Sequence, residues 1–212
     1  PFADSRLLNV LQHTLWFLPN VASCYAMANL LADRKNTFYH DYRINVCAGT
    51  EAGIGAAALE PVQRSMGDPL ETKTITLSCG KLTTGVTVPE WTAVMMLTGS
   101  ASTAAPGYMQ TIFRVQSAGV LDGKQKERCY VFDFAPDRAL NVLSEVNRVT
   151  KRGKTNEEEY RKALGEFLNF CPVIAVDGTQ MTEYSVPKMM RQIKRLTVDK
   201  AIKSGFDDES VY

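Results

Sequence analysis

Five short runs, several of them apolar throughout, recur along the first two-thirds of the chain: HTLWFL (13–18), RINVCA (43–48), KTITLSC (73–79), AVMML (93–97) and RCYVFDF (128–134). Strands that are hydrophobic on both faces need cover on both sides, and that arises when helices flank a largely parallel sheet. The intervening segments supply the helices. Pro19 stops the first run, and Asn20 stands where a helix cap belongs, ahead of Val21, Cys24, Ala28 and Leu31 at helical spacing. The small-residue stretch 54–66 forms a second helix before the break at Gly67, Asp68 and Pro69, and a third is predicted near 107–115. The fold class is therefore α/β.

The character changes after about Asn147, which divides the chain into an α/β lobe, 1–147, and an extension, 148–212. Lys151, Arg152, Gly153 and Lys154 form a basic link. The next segment, 157–170, places Tyr160, Ala163, Leu164, Phe167 and Leu168 on one helical face. A strand-like run, 173–176, leads through Asp177 and Gly178 to a helix capped by Ser185, with Pro187 in its first turn. That helix turns Val186, Met189, Met190, Ile193 and Leu196 inward and carries Lys188, Arg191, Lys194, Arg195, Lys200 and Lys203 on its other face. A mostly helical extension is expected, and both ends read as cut points of a longer protein.

With 212 residues and 45% hydrophobic content, the chain can bury a real core. A net charge of +1 means that any polyanion must be held by a local patch and not by the overall field. Five cysteines, at 24, 47, 79, 129 and 171, show no CxxC pair, which argues against a disulfide framework and a zinc site. With no apolar run near the roughly 18 residues of a membrane span, the expected compartment is cytoplasmic.

The chemistry-bearing stretch is 74–118. A strand, TITLSC, runs into GKLTTGVTVPEW; after a second strand comes YMQTIFRVQSAG. A two-glycine turn at the carboxyl end of a parallel strand offers backbone amides and hydroxyls to a phosphate or ribose, and Gly85 can let the backbone approach a ligand closely. Helical spacing sets Gln110 and Arg114 on one face at i and i+4, a neutral amide beside a permanent cation. An arginine aimed at a developing phosphoryl charge is the arginine-finger device.

These two segments resemble motifs V and VI of superfamily 2 helicases and translocases. They are most similar to the helicase part of restriction-modification enzymes, where a Phe-Arg-Val-Gln-Ser run also follows the motif VI glutamine. The resemblance implies the second RecA-like lobe, of the P-loop NTPase type, in an ATP-dependent DNA helicase or translocase. Arg114 and Gln110 would face the γ-phosphate, and Gly85, Thr87 and Gln116 would lie near the nucleotide. Lys81, Thr83, Thr84 and Asn20 would contact nucleic acid, Asn20 through a strand and turn in the place of motif IV. ATP and Mg2+ would be held with a missing N-terminal RecA-like lobe that carries the P-loop and the metal-binding carboxylate, so the fragment alone would be inactive. Nuclease or methyltransferase domains could be attached. Two departures from the pattern stand out: Thr87 replaces a ribose-contacting aspartate, and Ser117 replaces a second arginine. Both favour the alternative of a non-catalytic RecA-like scaffold for nucleic acid or a partner subunit.

Other motifs fail on spacing. GVLDGKQ (119–125) is one residue short of a P-loop and lacks its Ser or Thr, so a hairpin or surface loop is expected. The glycines at 49, 53 and 55 lack the dinucleotide spacing. Asp68 stands too close in sequence to Glu71, Thr72 and Lys73 for a metal nuclease. His13 and His40 have no ligand-spaced partners and are read as structural.

Overall fold

The computed structural model describes residues 11–49, 56–82, 86–98, 105–121, 123–135, 174–177 and 180–183, with single helical positions at 162, 187 and 191. The chain forms two compact units, Pro1–Ser100 with Pro106–Ala135, and Ala101–Ala105 with Pro136–Tyr212.

In the first unit the elements run β1 (His13–Phe17), α1 (Val21–Ala32), β2 (Arg43–Cys47), α2 (Ala56–Met66), β3 (Thr74–Ser78), β4 (Ala93–Met96), α3 (Ala105–Phe113), β5 (Val120–Leu121), β6 (Lys124–Gln125) and β7 (Tyr130–Asp133). Five strands form one sheet in the order β2-β3-β1-β4-β7, and every neighbouring pair is parallel. This is the mainly parallel sheet that a RecA-like lobe requires. Each expected strand and helix of this unit is present, with ends shifted by a few residues at most. GVLDGKQ forms the expected hairpin, in which Val120 pairs with Gln125 and Leu121 with Lys124.

The sheet is covered on both sides because its crossovers reverse. From β1 the chain crosses β3 to reach the edge strand β2, then returns inward to β3. Right-handed crossovers running in opposite directions place their helices on opposite faces. The side chains agree. Ile75 and Leu77 pack with Cys24 and Leu31 of α1, while Asn45 donates to Ser65 of α2 at 2.5 Å. All five residues of β3 are buried. α2 contributes Ala58, Val62 and Met66, one turn apart, from a single buried stripe.

β1 and β4 are neighbours whose outgoing connections diverge, β1 toward β2 and β4 toward β7. The carboxyl ends of such a pair form the switch point at which open α/β sheets bind ligands.

In the second unit, β8 (Ile174–Asp177) pairs antiparallel with β9 (Gln180–Glu183). The sequence reading took the chain straight from Asp177-Gly178 into a helix and missed β9. Asp177 pairs with Gln180, so Asp-Gly is not itself the two-residue connection, and the polar QMTE segment has no apolar run to mark a strand. The expected 157–170 and 187–203 helices lie outside the described residues, apart from helical Lys162, Pro187 and Arg191.

His13, at the start of β1, is buried as the structural reading expects. Its Nε2 is 2.8 Å from the Pro69 carbonyl and its Nδ1 is 2.9 Å from Thr74 Oγ1. A carbonyl only accepts, so Nε2 carries the proton and Nδ1 accepts from the threonine hydroxyl. Burial lowers the ring's pKa below its ordinary value, against smaller opposing effects of the Pro69 contact and the Glu90 charge. The folded ring therefore takes up its second proton at lower pH than the unfolded one. Stability is full above the unfolded value, near 6.5, and is lost as pH falls toward the lowered folded value. Urea unfolding of the chain between pH 8 and pH 5 is expected to show this acid loss, and His13→Gln is expected to flatten it.

Candidate functional site

The ends of the three central strands are tied level with one another. Leu18 N donates to Ser78 O at 2.8 Å, and Leu97 N donates to Phe17 O at 2.9 Å. From this edge rise the turn after β1, which opens α1, and the glycine turn after β3.

The glycine turn is built by local backbone needs. Gly80 has a φ of +137°, and a Cβ added there would meet nothing within 4 Å, so the angle and not the space calls for glycine. Leu82 has a φ of +64°, a conformation that costs a non-glycine residue on the order of 1 kcal/mol, and its side chain is buried. Ser78 Oγ donates to the Lys81 carbonyl at 2.5 Å and closes the turn. Lys81 is half-buried, while Thr83, Thr84 and Gly85 lie outside the described residues. Where the description resumes, Val86 and Val88 point inward and Thr87 is exposed.

Motif VI is placed differently from the expectation of one continuous helix through Val115. α3 ends at Phe113, and Arg114 opens a 3-10 turn, Arg114–Gln116. Val115 is fully buried and anchors that turn, below Tyr108 and Thr111 on the inner face of α3. The link between Gln110 and Arg114 is also not a side-by-side pair of side chains. Arg114 Nε donates to the Gln110 backbone carbonyl at 3.2 Å, and its Nη1 donates to the Val86 carbonyl. The side chains of Gln110 and Gln116 are exposed, and Ser117 Oγ donates to the Arg114 carbonyl at 3.3 Å. The structure thus joins Arg114 to the residue between Gly85 and Thr87. Two of the guanidinium's five donors are engaged in this way.

Asn20 is the N-cap of α1. Its Oδ1 accepts from Ser23 N at 2.8 Å and from Ser23 Oγ at 3.0 Å. That oxygen is committed to the cap, and the residue is exposed.

Sequence reasoning missed Lys126. It follows a short hairpin in a run of polar residues and reads as surface, yet its ammonium reaches the carbonyls of Pro89, Trp91 and Val115 at 2.9, 3.2 and 2.9 Å. Only the fold brings those three oxygens together.

Cys24, Cys47, Cys79 and Cys129 are free thiols. Burial raises the Cys24 thiol and pushes Cys47 up to about 11, so neither is a thiolate nucleophile at neutral pH. Among the described residues no group of His, Cys, Asp or Glu could hold a metal, and no helix is long and apolar enough to cross a membrane. A cleft of about 280 Å³, lined by Leu31, Ala32, Tyr39, His40, Tyr42 and Ile44, lies by the amino end of β2, away from the carboxyl edge.

No family model matches the chain. A Mycoplasma pneumoniae protein, provisionally named as the C-terminal part of a type II restriction enzyme and methyltransferase, is 32% identical over 206 residues. The match takes in 94% of this chain and 27% of that protein, so the chain spans about a quarter of the curated relative's length. Among solved structures, domain 2 of the DEAD-box helicase Mss116p bound to an RNA duplex gives a TM-score of 0.47 at 15% identity, covering 98% of this chain and 86% of that one. Saccharomyces cerevisiae Dbp5 bound to RNA and ADP BeF3 gives 0.43 at 13% identity, over 76% of this chain and 39% of that one.

The capping contacts of Asn20 have a measurable consequence. Asn20→Ala is expected to lower stability in urea unfolding by about 1 kcal/mol, whereas Asn20→Asp or Asn20→Ser keeps most of it. Equal stability of the alanine and wild-type proteins would remove Asn20 as the cap.

Proposed function

We propose that this chain is the C-terminal RecA-like lobe of an ATP-dependent DNA helicase or translocase belonging to a restriction-modification enzyme. In this reading it completes an ATP site shared with an N-terminal RecA-like lobe. The observation that carries the proposal is the hydrogen bond from Arg114 to the Val86 carbonyl, which links the two segments that resemble motifs V and VI. The relative named as a restriction enzyme and methyltransferase supports the biological setting.

The donor set suits a nucleoside triphosphate better than a metal. A guanidinium prepositioned by two carbonyls can meet a phosphoryl oxygen without reorganising. Magnesium would come with the carboxylate of the other lobe. When bound, ATP would supply the phosphoryl group whose transfer to water powers movement. Within this chain, Arg114 would neutralise charge at the phosphate, with Gln110 and Gln116 exposed beside it. Gly85 and Thr87 would lie against the nucleotide. Lys81, Thr83, Thr84 and Asn20 would hold DNA phosphates. A cytoplasmic enzyme with attached nuclease or methyltransferase domains completes the proposal.

A non-catalytic scaffold is the second reading. It is favoured by Thr87 and Ser117 at positions where the helicase pattern has an aspartate and an arginine.

DNA-stimulated ATP hydrolysis by the full-length parent separates the two readings. Arg114→Ala and Arg114→Lys are expected to lower kcat by roughly a thousandfold and by a smaller factor respectively, with DNA affinity and melting temperature held. A parent that binds DNA but hydrolyses no ATP, or variants that keep the wild-type rate, would establish the scaffold in its place.

A further inference from the structure

Lys126 enters neither of the motifs read from the sequence, yet its ammonium is the junction of three segments. Pro89 and Trp91 belong to the stretch that follows the glycine turn, and Val115 is the residue after Arg114. The Lys126 amide also donates to the Gly119 carbonyl at 2.8 Å, which fixes the stem from which the side chain reaches in.

We propose that Lys126 is a positioning residue: it clamps the 86–91 segment to the 114–116 turn and so holds Arg114 where it can face a nucleotide phosphate. Three carbonyl dipoles converging on one point repel one another unless a cation lies between them. An ammonium has three N–H donors in a pyramid, and each finds one oxygen here. Arg114 ties the same two segments at the other end, through Val86. The 86–91 segment is thus pinned by a cation at each end, with Val86, Val88 and Trp91 buried between them. Gly119 closes the arrangement, since a Cβ there would come within 2.9 Å of Pro89 Cβ and 3.1 Å of its carbonyl oxygen. Burial lowers the Lys126 pKa, as expected of a cation withdrawn from water to serve backbone oxygens.

This inference rests on the motor reading for its catalytic consequence but has a readout that does not. In the full-length parent, Lys126→Met is expected to lower kcat for ATP hydrolysis roughly ten- to hundredfold with little change in KM or DNA affinity. Arg114→Ala is expected to cost much less in the Lys126→Met background than in the wild type, because the two residues serve one placement. A purely structural lysine would leave the cost of Arg114→Ala unchanged, and that additivity overturns the proposal. Lys126→Gln, which keeps two donors, gives the same comparison if the methionine variant folds poorly, and an intermediate loss is expected. The second readout is the resonance of the Arg114 Nη–H groups, one of which donates to the Val86 carbonyl. Slow solvent exchange in the wild type and fast exchange in both Lys126 variants supports the clamp, and unchanged exchange overturns it. If the parent hydrolyses no ATP, the motor reading fails while this resonance still decides the clamp.

Discussion

A parallel sheet survives in water only when both of its faces are covered, and this requirement shapes the first unit. β3 sits between β2 and β1 with all five residues buried. Ile75 and Leu77 need α1 on one side, and the strand's other face needs α2. Only crossovers that reverse direction can supply both, and the same reversal makes the chain diverge after β1 and β4. Covering the core and creating a ligand-binding edge are therefore one topological event. The turns after β1 and β3 lie at that edge, whereas the 86–91 segment leads to the amino end of β4, where Thr92 N donates to the His13 carbonyl.

Cations held by carbonyls organise the segment that leads into β4. Arg114 donates to the carbonyls of Gln110 and Val86, and Lys126 donates to those of Pro89, Trp91 and Val115. None of these bonds depends on the side chain of its acceptor, so identities at the accepting positions are free to vary provided the backbone path is kept. The 86–91 segment, which has no strand or helix of its own, gains a fixed course in this way. The buried valines and Trp91 supply the apolar half of the same anchorage.

Much of the fold was legible because the strands of the main sheet are compact runs, several of them apolar throughout. Pro19 and Asn20 mark the end of β1 and the start of α1 through proline's geometry and the cap's hydrogen bond, both local effects. The His13 environment was foreseen in kind, as structural, though its partners Pro69 and Thr74 come from far along the chain. β9 was missed because QMTE has no apolar pattern and pairs through its backbone. The end of α3 was misplaced because Val115 is pulled into the core by tertiary packing and tightens the last turn, which helical periodicity does not report. Lys126 was invisible for a related reason: a lysine's sequence neighbours say nothing of three carbonyls supplied by loops 11 to 37 residues away.

In the proposed reading, backbone carbonyls place Arg114 to meet a phosphate across a cleft closed by a second lobe. The most direct measurement is a structure of the full-length parent bound to DNA and to ADP with a γ-phosphate mimic. A guanidinium nitrogen of Arg114 within about 3 Å of the mimic, with the Val86 contact kept, is the expected result. An Arg114 still confined to the carbonyls of Val86 and Gln110, with the nucleotide bound elsewhere or no second lobe facing this edge, would contradict the account.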